Sequence, residues 1–248
     1  MKLFILIVVG TLAFGQGVLA PGPGMAHAIG GGSYAPTTHS MVTGDGTATS
    51  GANTTGATLL TAIVAVYGAD PCAVADTPTD TIGGVASGNT WVSLGNHGSG
   101  ASAVCIWYAA NPAVGASHVF TCHGSFPVCL FQSWPSILTS SPQDAATIGG
   151  SNSSTPSTTA QTSTVSPGSN NEVCVVAGSD YDPTETAMSF VAPSLDFTLL
   201  DYQLSVAGVN VGGAAGYYAQ TTAAALSTTY TRTGSVIEMQ TGIACFKR

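Results

Sequence analysis

Short apolar runs with alternating side chains recur along this chain, and Gly, Pro, Asn and Ser separate them. The clearest group lies within residues 87–137, where three such runs cover residues 103–109, 117–123 and 128–133. Alternation over this length is typical of β-strands, and the turn residues between the runs predict a β-meander. The pattern therefore indicates an all-β fold.

Residues 58–67 (TLLTAIVAVY) are almost continuously apolar, as expected for a strand that is covered on both faces. Residues 139–171 are rich in Ser, Thr, Asn and Gly, and we interpret them as a long loop with one exposed strand near 162–165. Strand-like runs also occur at residues 81–85, 172–178, 188–191, 197–202, 214–220, 227–232 and 237–246. About ten strands, without a helix or a short repeat, predict a two-sheet antiparallel β-sandwich that is jelly-roll-like.

The N-terminus has the features of a secretory signal. Lys2 precedes an apolar segment at residues 3–14, and Ala26-His27-Ala28 offers a cleavage site, with Ala20 and a start at Met25 as alternatives. We therefore expect a signal peptide at 1–28 and a flexible arm at 29–52 that leads into an early edge strand. A single β-sandwich domain is expected at 53–248. The predicted location is secreted or extracellular, with association to a virion or a cell surface left open.

Charge excludes two classes of partner. Only 6% of the residues are charged, the formal net charge is −8, and Lys plus Arg total 4. Arg232 is the one basic residue away from the termini. Such a surface cannot neutralise a run of phosphates, so we expect neither nucleic acid nor anionic lipid as a partner. We also expect no membrane insertion after removal of the signal.

Six cysteines fit an oxidising compartment. Six thiols allow 15 pairings, and the sequence alone does not select one. Cys122 and Cys129 flank a short turn and are the first candidate pair, and Cys174 and Cys245 lie in late strands that could be neighbours. The alternative is that several of them are small buried apolar residues.

Several segments resemble a pattern in uncharacterised β-sandwich proteins of bacteriophages and bacteria. They are GNTW at 88–91, WYAANP at 107–112, VG at 114–115 and HVFT at 118–121, followed by NE at 171–172, QTT at 220–222 and ACFK at 244–247. The resemblance covers about residues 54–247. It implies a jelly-roll-like sandwich that is extracellular or virion-associated, and it supplies no catalytic motif.

Acidic residues and histidines are the candidate metal ligands. Asp180, Asp182 and Glu185 lie close together after a strand, and three carboxylates could bind calcium, which is the candidate cofactor. The alternative is a solvated acidic turn. The histidines at 97, 118 and 123 are expected to be satisfied surface or turn residues, because 118 and 123 fall on opposite faces of a strand.

Aromatic residues are the candidate ligand-binding residues. Trp134 precedes Pro135 in a predicted loop, Tyr181 adjoins the acidic turn, and Tyr218 follows another Tyr. Exposed rings beside carboxylates and amides could stack on a sugar, whereas ordinary packing is the alternative. Trp91 and Trp107 are expected in the core.

No nucleophile elbow or phosphate-binding loop occurs, so no catalytic residue is assigned. The sequence predicts a secreted, non-catalytic β-sandwich for surface recognition or adhesion, with a glycan or another cell-surface ligand as partner. One alternative is a structural protein of a virion, decoration or surface layer that self-associates through strand edges. A second alternative is a polysaccharide-active hydrolase or lyase.

Overall fold

The computed structural model describes residues 34–98, 101–181, 187–191, 197–203, 211–233 and 237–248. Within these ranges the chain forms sixteen β-strands and one turn of 3₁₀-helix, Val74–Asp76. The prediction of an all-β antiparallel sandwich is confirmed, with more strands than expected. No helix in the described ranges is long and apolar enough to cross a membrane. The predicted signal peptide lies outside these ranges.

The strands fall into two successive groups of eight. The first group is β1 (Thr38–Thr43), β2 (Ala57–Val66), β3 (Thr79–Ile82), β4 (Val85–Ala86), β5 (Val92–His97), β6 (Ala103–Ala110), β7 (His118–Thr121) and β8 (Val128–Pro135). The second group is β9 (Gln143–Ser157), β10 (Thr159–Gln161), β11 (Glu172–Asp180), β12 (Ala187–Val191), β13 (Thr198–Gln203), β14 (Gly212–Gln220), β15 (Thr229–Thr233) and β16 (Ile237–Lys247). We call these groups unit 1 and unit 2.

Each unit contributes one five-stranded and one three-stranded antiparallel sheet. The large sheets have the orders β1-β8-β2-β6-β5 and β13-β14-β11-β16-β9, and the small sheets have the orders β4-β3-β7 and β10-β15-β12. The strands β9, β16, β11, β14 and β13 therefore occupy the places of β1, β8, β2, β6 and β5. In the small sheets, β12 and β15 correspond to β3 and β7. The chain thus repeats one jelly-roll-like arrangement.

Residues before β2 complete this correspondence. Isolated bridges pair Ala48 with Thr121 and Ala52 with His118, which places this segment beside β7. In unit 2, β10 lies beside β15 in the same way. The repeat is much longer than the periods of 20–50 residues that are typical of solenoids, and the sequence therefore shows no short period.

Apolar clusters hold four layers of sheet together. The central cluster lies between the two large sheets and includes Ile63 and Leu130 of unit 1 and Val175 and Phe246 of unit 2. Hence both units share one core. β2 is buried on both faces, which explains its nearly continuous apolar run.

The outer face of each large sheet packs on a small sheet. In unit 1, Val64 of β2 belongs to the same cluster as Phe120 of β7. In unit 2, Val176 of β11 belongs to the same cluster as Tyr230 of β15. Trp107 is buried on the outer face of the unit 1 sheet, as the sequence predicted.

All six cysteines form disulfides. The pairs are Cys72–Cys105, Cys122–Cys129 and Cys174–Cys245. The two predicted pairs are confirmed. Cys174 and Cys245 lie directly opposite each other in the register of β11 and β16. Three disulfides are typical of exported proteins, since reducing compartments keep thiols free.

Two segments differ from their predictions. Residues 143–157 form the long strand β9, which pairs with β16, where the sequence predicted a loop. The expected strand near 162–165 is instead the short β10, a few residues earlier. Pairing of backbone groups needs no apolar side chains, so hydroxyl-rich residues could not reveal it. Within the predicted arm, β1 pairs with β8 as the expected edge strand.

Candidate functional site

A buried carboxylate forms the centre of a polar cluster in unit 1. Asp80 of β3 is 7% exposed and lies opposite Phe120 of β7. The indole Nε1 of Trp91 donates to its Oδ1 at 3.0 Å, and the amide Nδ2 of Asn89 donates to its Oδ2 at 2.7 Å. The Nε2 of His118 lies 2.5 Å from the same Oδ2. A carboxylate only accepts, so Nε2 carries the proton and donates it.

His118 connects Asp80 to the segment before β2. Its Nδ1 lies 2.8 Å from the Oγ1 of Thr54, and that hydroxyl oxygen accepts the N–H of Gly115 at 3.1 Å. The imidazole also stacks on Phe120, with a centroid distance of 4.4 Å. Both His118 and Thr54 are completely buried. The cluster is therefore closed to solvent on the His118 side.

The hydrogen bonds determine the ionisation of Asp80. Burial alone would raise the pKa of this carboxyl group, because a charge loses its hydration in the interior. Hydrogen bonds from His118, Ser87, Trp91 and Asn89 outweigh burial and hold the pKa of Asp80 below its ordinary value. The cluster thus keeps a negative charge at neutral pH.

A surface groove opens over the other side of Asp80. Its volume is about 250 Å³. Its lining combines hydroxyls, an amide, a carboxylate and an indole, from Thr77, Pro78, Thr79, Asp80, Ala86, Ser87, Gly88, Asn89 and Trp91. The groove can therefore offer donors, acceptors and an apolar ring edge to one small ligand.

Unit 2 has phenylalanines at the positions of Asp80 and Trp91. Phe190 lies opposite Tyr230, as Asp80 lies opposite Phe120, and the two rings are 5.4 Å apart. Phe197 precedes β13 as Trp91 precedes β5, and it is buried. The fold therefore does not require a buried carboxylate at this place.

The segments that carried the family resemblance meet in this cluster. Asn89 and Trp91 come from GNTW, and His118 comes from HVFT. Asn89 also holds the turn after β6, since its Oδ1 accepts the N–H of Ala113 at 2.6 Å. Asp80 itself was not singled out from the sequence, because a single carboxylate between two threonines gives no local signal of burial.

Trp134 is not a loop residue. It lies in β8 and is 0% exposed, and its Nε1 donates to Thr61 Oγ1 at 2.8 Å. Its ring contacts Tyr217 across the shared core. The expected loop position is wrong, because Trp-Pro at the end of a strand was interpreted as a turn. In this structure the ring has no free face for a ligand. Trp91 is buried, as predicted.

Tyr181 and Tyr218 are both partly buried, and they do not share a surface with Trp134. Tyr181 follows β11 and packs on Tyr67 at 5.0 Å. Tyr218 lies opposite Cys174, six residues back along β11 from Asp180, which corresponds to about 20 Å along a strand. The predicted aromatic residues therefore do not form one platform.

Tyr218 does line a small pocket. Its volume is about 150 Å³, and the other lining residues are Gln220, Thr221, Thr222, Ala224 and Leu226. Burial raises the pKa of the Tyr218 phenol. The amide Nε2 of Gln220 donates to the carbonyls of Thr222 and Ala224, so this donor is already used.

Asp180 does not lie in a solvated acidic turn. It is the last residue of β11, is fully buried, and lies 3.1 Å from Nε of Arg232. The hydroxyl of Tyr230 donates to the same carboxylate at 3.3 Å. The expected role of Asp180 as a surface calcium ligand is wrong, because the one basic residue of the body neutralises it. Asp182 and Glu185 lie outside the described residues.

Taken together, these features define an all-β protein of two jelly-roll-like units with a polar groove in unit 1. Comparison of the chain with protein-family models, with curated proteins and with solved structures gives no match.

Proposed function

We propose that the protein is a secreted, non-catalytic recognition module whose groove in unit 1 binds a small polyhydroxylated group such as one sugar residue of a surface glycan. The observation that carries this proposal is the polar cluster under the groove. Unit 2 fills the same place with Phe190 and Phe197. Since the fold tolerates apolar side chains there, a ligand is a better reason for the carboxylate than packing is.

The chemistry of the groove suits a sugar. Each sugar hydroxyl both donates and accepts, and the groove presents the hydroxyls of Thr79 and Ser87 beside the carboxylate of Asp80. The amide of Asn89 is already bonded to Asp80 and Ala113 and holds this arrangement in place. The volume of about 250 Å³ is below the roughly 300 Å³ at which pockets for drug-sized ligands begin, so it suits a single ring.

Burial supports binding over catalysis. The Thr54, His118 and Asp80 side chains form a hydroxyl–imidazole–carboxylate chain like that of a hydrolase. Thr54 and His118 have no exposed surface, so a substrate cannot reach the hydroxyl group. This chain therefore stabilises the cluster.

A glycan array followed by calorimetric titration tests the proposal. Ala86 lines the groove and Val85, its neighbour on β4, does not. Adjacent strand residues point to opposite faces, so Ala86→Arg should abolish binding and Val85→Arg should preserve it. Absence of any bound glycan, or equal binding by both variants, would refute the proposal that the groove is the binding site.

A second experiment separates function from stability. Thr228 lies two residues before Tyr230, as His118 lies two residues before Phe120. The triple variant Asp80→Phe, Trp91→Phe, His118→Thr therefore installs the side chains that unit 2 has at these positions. Replacing a buried charged group and its partners by packed apolar residues of similar volume is often neutral or stabilising. We expect the variant to remain folded and to lose the ligand. A folded triple variant that binds as well as the wild type would contradict the proposal.

The structural alternative also has one supporting observation. Among the described residues of unit 1, Val74, Val85 and Phe126 are 91%, 71% and 53% exposed. Large exposed apolar side chains often mark contacts between proteins. A component of a virion or surface layer should associate through them, so sedimentation at high concentration should show oligomers that Val74→Asp or Phe126→Asp dissociates. A strict monomer would exclude this alternative.

A further inference from the structure

A second buried carboxylate lies in unit 2, away from the groove. Glu172 is the first residue of β11 and is paired through its backbone with Gln220 and Lys247. Its side chain is 0% exposed, and neither Oε1 nor Oε2 receives a hydrogen bond from an N–H or hydroxyl group of a described residue. Because a buried charge without donors is costly, this carboxyl group needs either a proton or a cation beside it.

Asp144 of β9 adds a second negative group beside it. Asp144 is 8% exposed, and its Oδ2 accepts the N–H of Gly168 at 2.8 Å. Burial and the Asp144 carboxyl group together raise the pKa of Glu172 to about 7, although the charge of Lys247 acts in the opposite direction. Lys247 thus compensates the pair only in part.

We propose that Asp144 and Glu172 are ligands of a divalent cation such as calcium. Hard cations prefer carboxylate oxygens, and a buried carboxylate without a hydrogen-bond donor beside a second buried carboxylate offers such oxygens to an ion. The sulfur atoms of Cys174 and Cys245 are close to Glu172, but they are joined in a disulfide and are not thiolate ligands.

The positions of Asp144 and Glu172 in the sheet indicate a structural role for the ion. Asp144 fastens Gly168 in the connection between β10 and β11, and Glu172 begins the central strand of the large sheet. An ion between them would tie β9 to β11 across β16 and fix this connection. The site is independent of the groove of unit 1, so either proposal can fail alone.

Thermal unfolding of the EDTA-treated protein, with and without added calcium, tests the site. Calcium at about 100 times its dissociation constant should raise Tm by roughly 5–10 °C in a chain of this size. The isosteric variants Glu172→Gln and Asp144→Asn should abolish this calcium-dependent rise. The control Asp45→Asn removes a carboxylate whose side chain is 69% exposed and should keep it.

The quantity compared between variants is the difference in Tm with and without calcium. A variant that is less stable without calcium can therefore still be compared with the wild type. A rise that persists in both Glu172→Gln and Asp144→Asn would overturn the proposal. The absence of any calcium-dependent rise in the wild type would also overturn it.

Discussion

The packing of the two large sheets depends on the imidazole ring of His97, which lies directly against two glycines of the opposite sheet. His97, the last residue of β5, belongs to the large sheet of unit 1. Gly150 of β9 and Gly242 of β16 are register partners in the large sheet of unit 2. A Cβ at Gly242 would lie 2.5 Å from Cδ2 of His97, and a Cβ at Gly150 would overlap the ring further. Alanine at either position should therefore push the sheets apart.

The size of the destabilisation follows from the absence of free space between His97 and the two glycines. Overpacking a rigid core costs about 1–3 kcal/mol, and the direct overlap at Gly150 puts Gly150→Ala at the upper end, about 3 kcal/mol. In a His97→Ala background the ring is gone, and replacing a strand glycine should be neutral or gain roughly 0.5–1 kcal/mol. The coupling energy between the two positions should thus be about 3–4 kcal/mol.

Urea denaturation of the wild type, Gly150→Ala, His97→Ala and the double variant measures the coupling energy. In thermal unfolding, Gly150→Ala alone should lower Tm by roughly 6–12 °C. Gly51→Ala is the control, since its Cβ would lie 3.7 Å from Cα of Ser117, an ordinary contact. An equal cost of Gly150→Ala with and without the His97 ring would refute the described packing of β5 against β9 and β16.

Three further predictions concern buried polar groups and the disulfides. Asp180→Asn should destabilise the protein by about 3–5 kcal/mol in equilibrium unfolding, because it leaves Arg232 buried without its counter-charge. Asp80 has a folded pKa below its ordinary value of 3.8, so its contribution is present above pH 3.8 and lost as pH falls through the folded pKa. The stability difference between the wild type and Asp80→Asn, measured against pH, should shrink in that window. Replacing both Cys174 and Cys245 by Ser opens a loop with a sequence separation of 71 and should cost about 4 kcal/mol; an unchanged denaturation midpoint would contradict this.

Local patterns predicted the strands that are buried by their own side chains. The apolar run that became β2 and the EVCVVAG segment of β11 are examples. The pair Cys122 and Cys129 followed from their closeness in the chain. β9 could not be predicted in this way, because its pairing with β16 uses backbone groups that every residue type carries.

Long-range contacts explain why the candidate site could not be predicted. Trp134 is buried because β2 provides the hydroxyl of Thr61 as an acceptor, and nothing near Trp134 in the sequence reports this. Asp180 is buried because Arg232, far along the chain, reaches it. An acidic residue in an isolated segment is hydrated by default, and only the folded chain shows which carboxylates lose their water.

The duplicated topology separates what this fold requires from what it merely permits. Both units bury apolar side chains between a large and a small sheet, as Val64 with Phe120 and Val176 with Tyr230 show. Asp80 has no carboxylate counterpart in unit 2. The corresponding position in the register is occupied by the aromatic side chain of Phe190. A group that one copy of a fold replaces by an apolar ring is not needed for folding. The polar cluster of unit 1 is therefore the part of the molecule where recognition should be sought first.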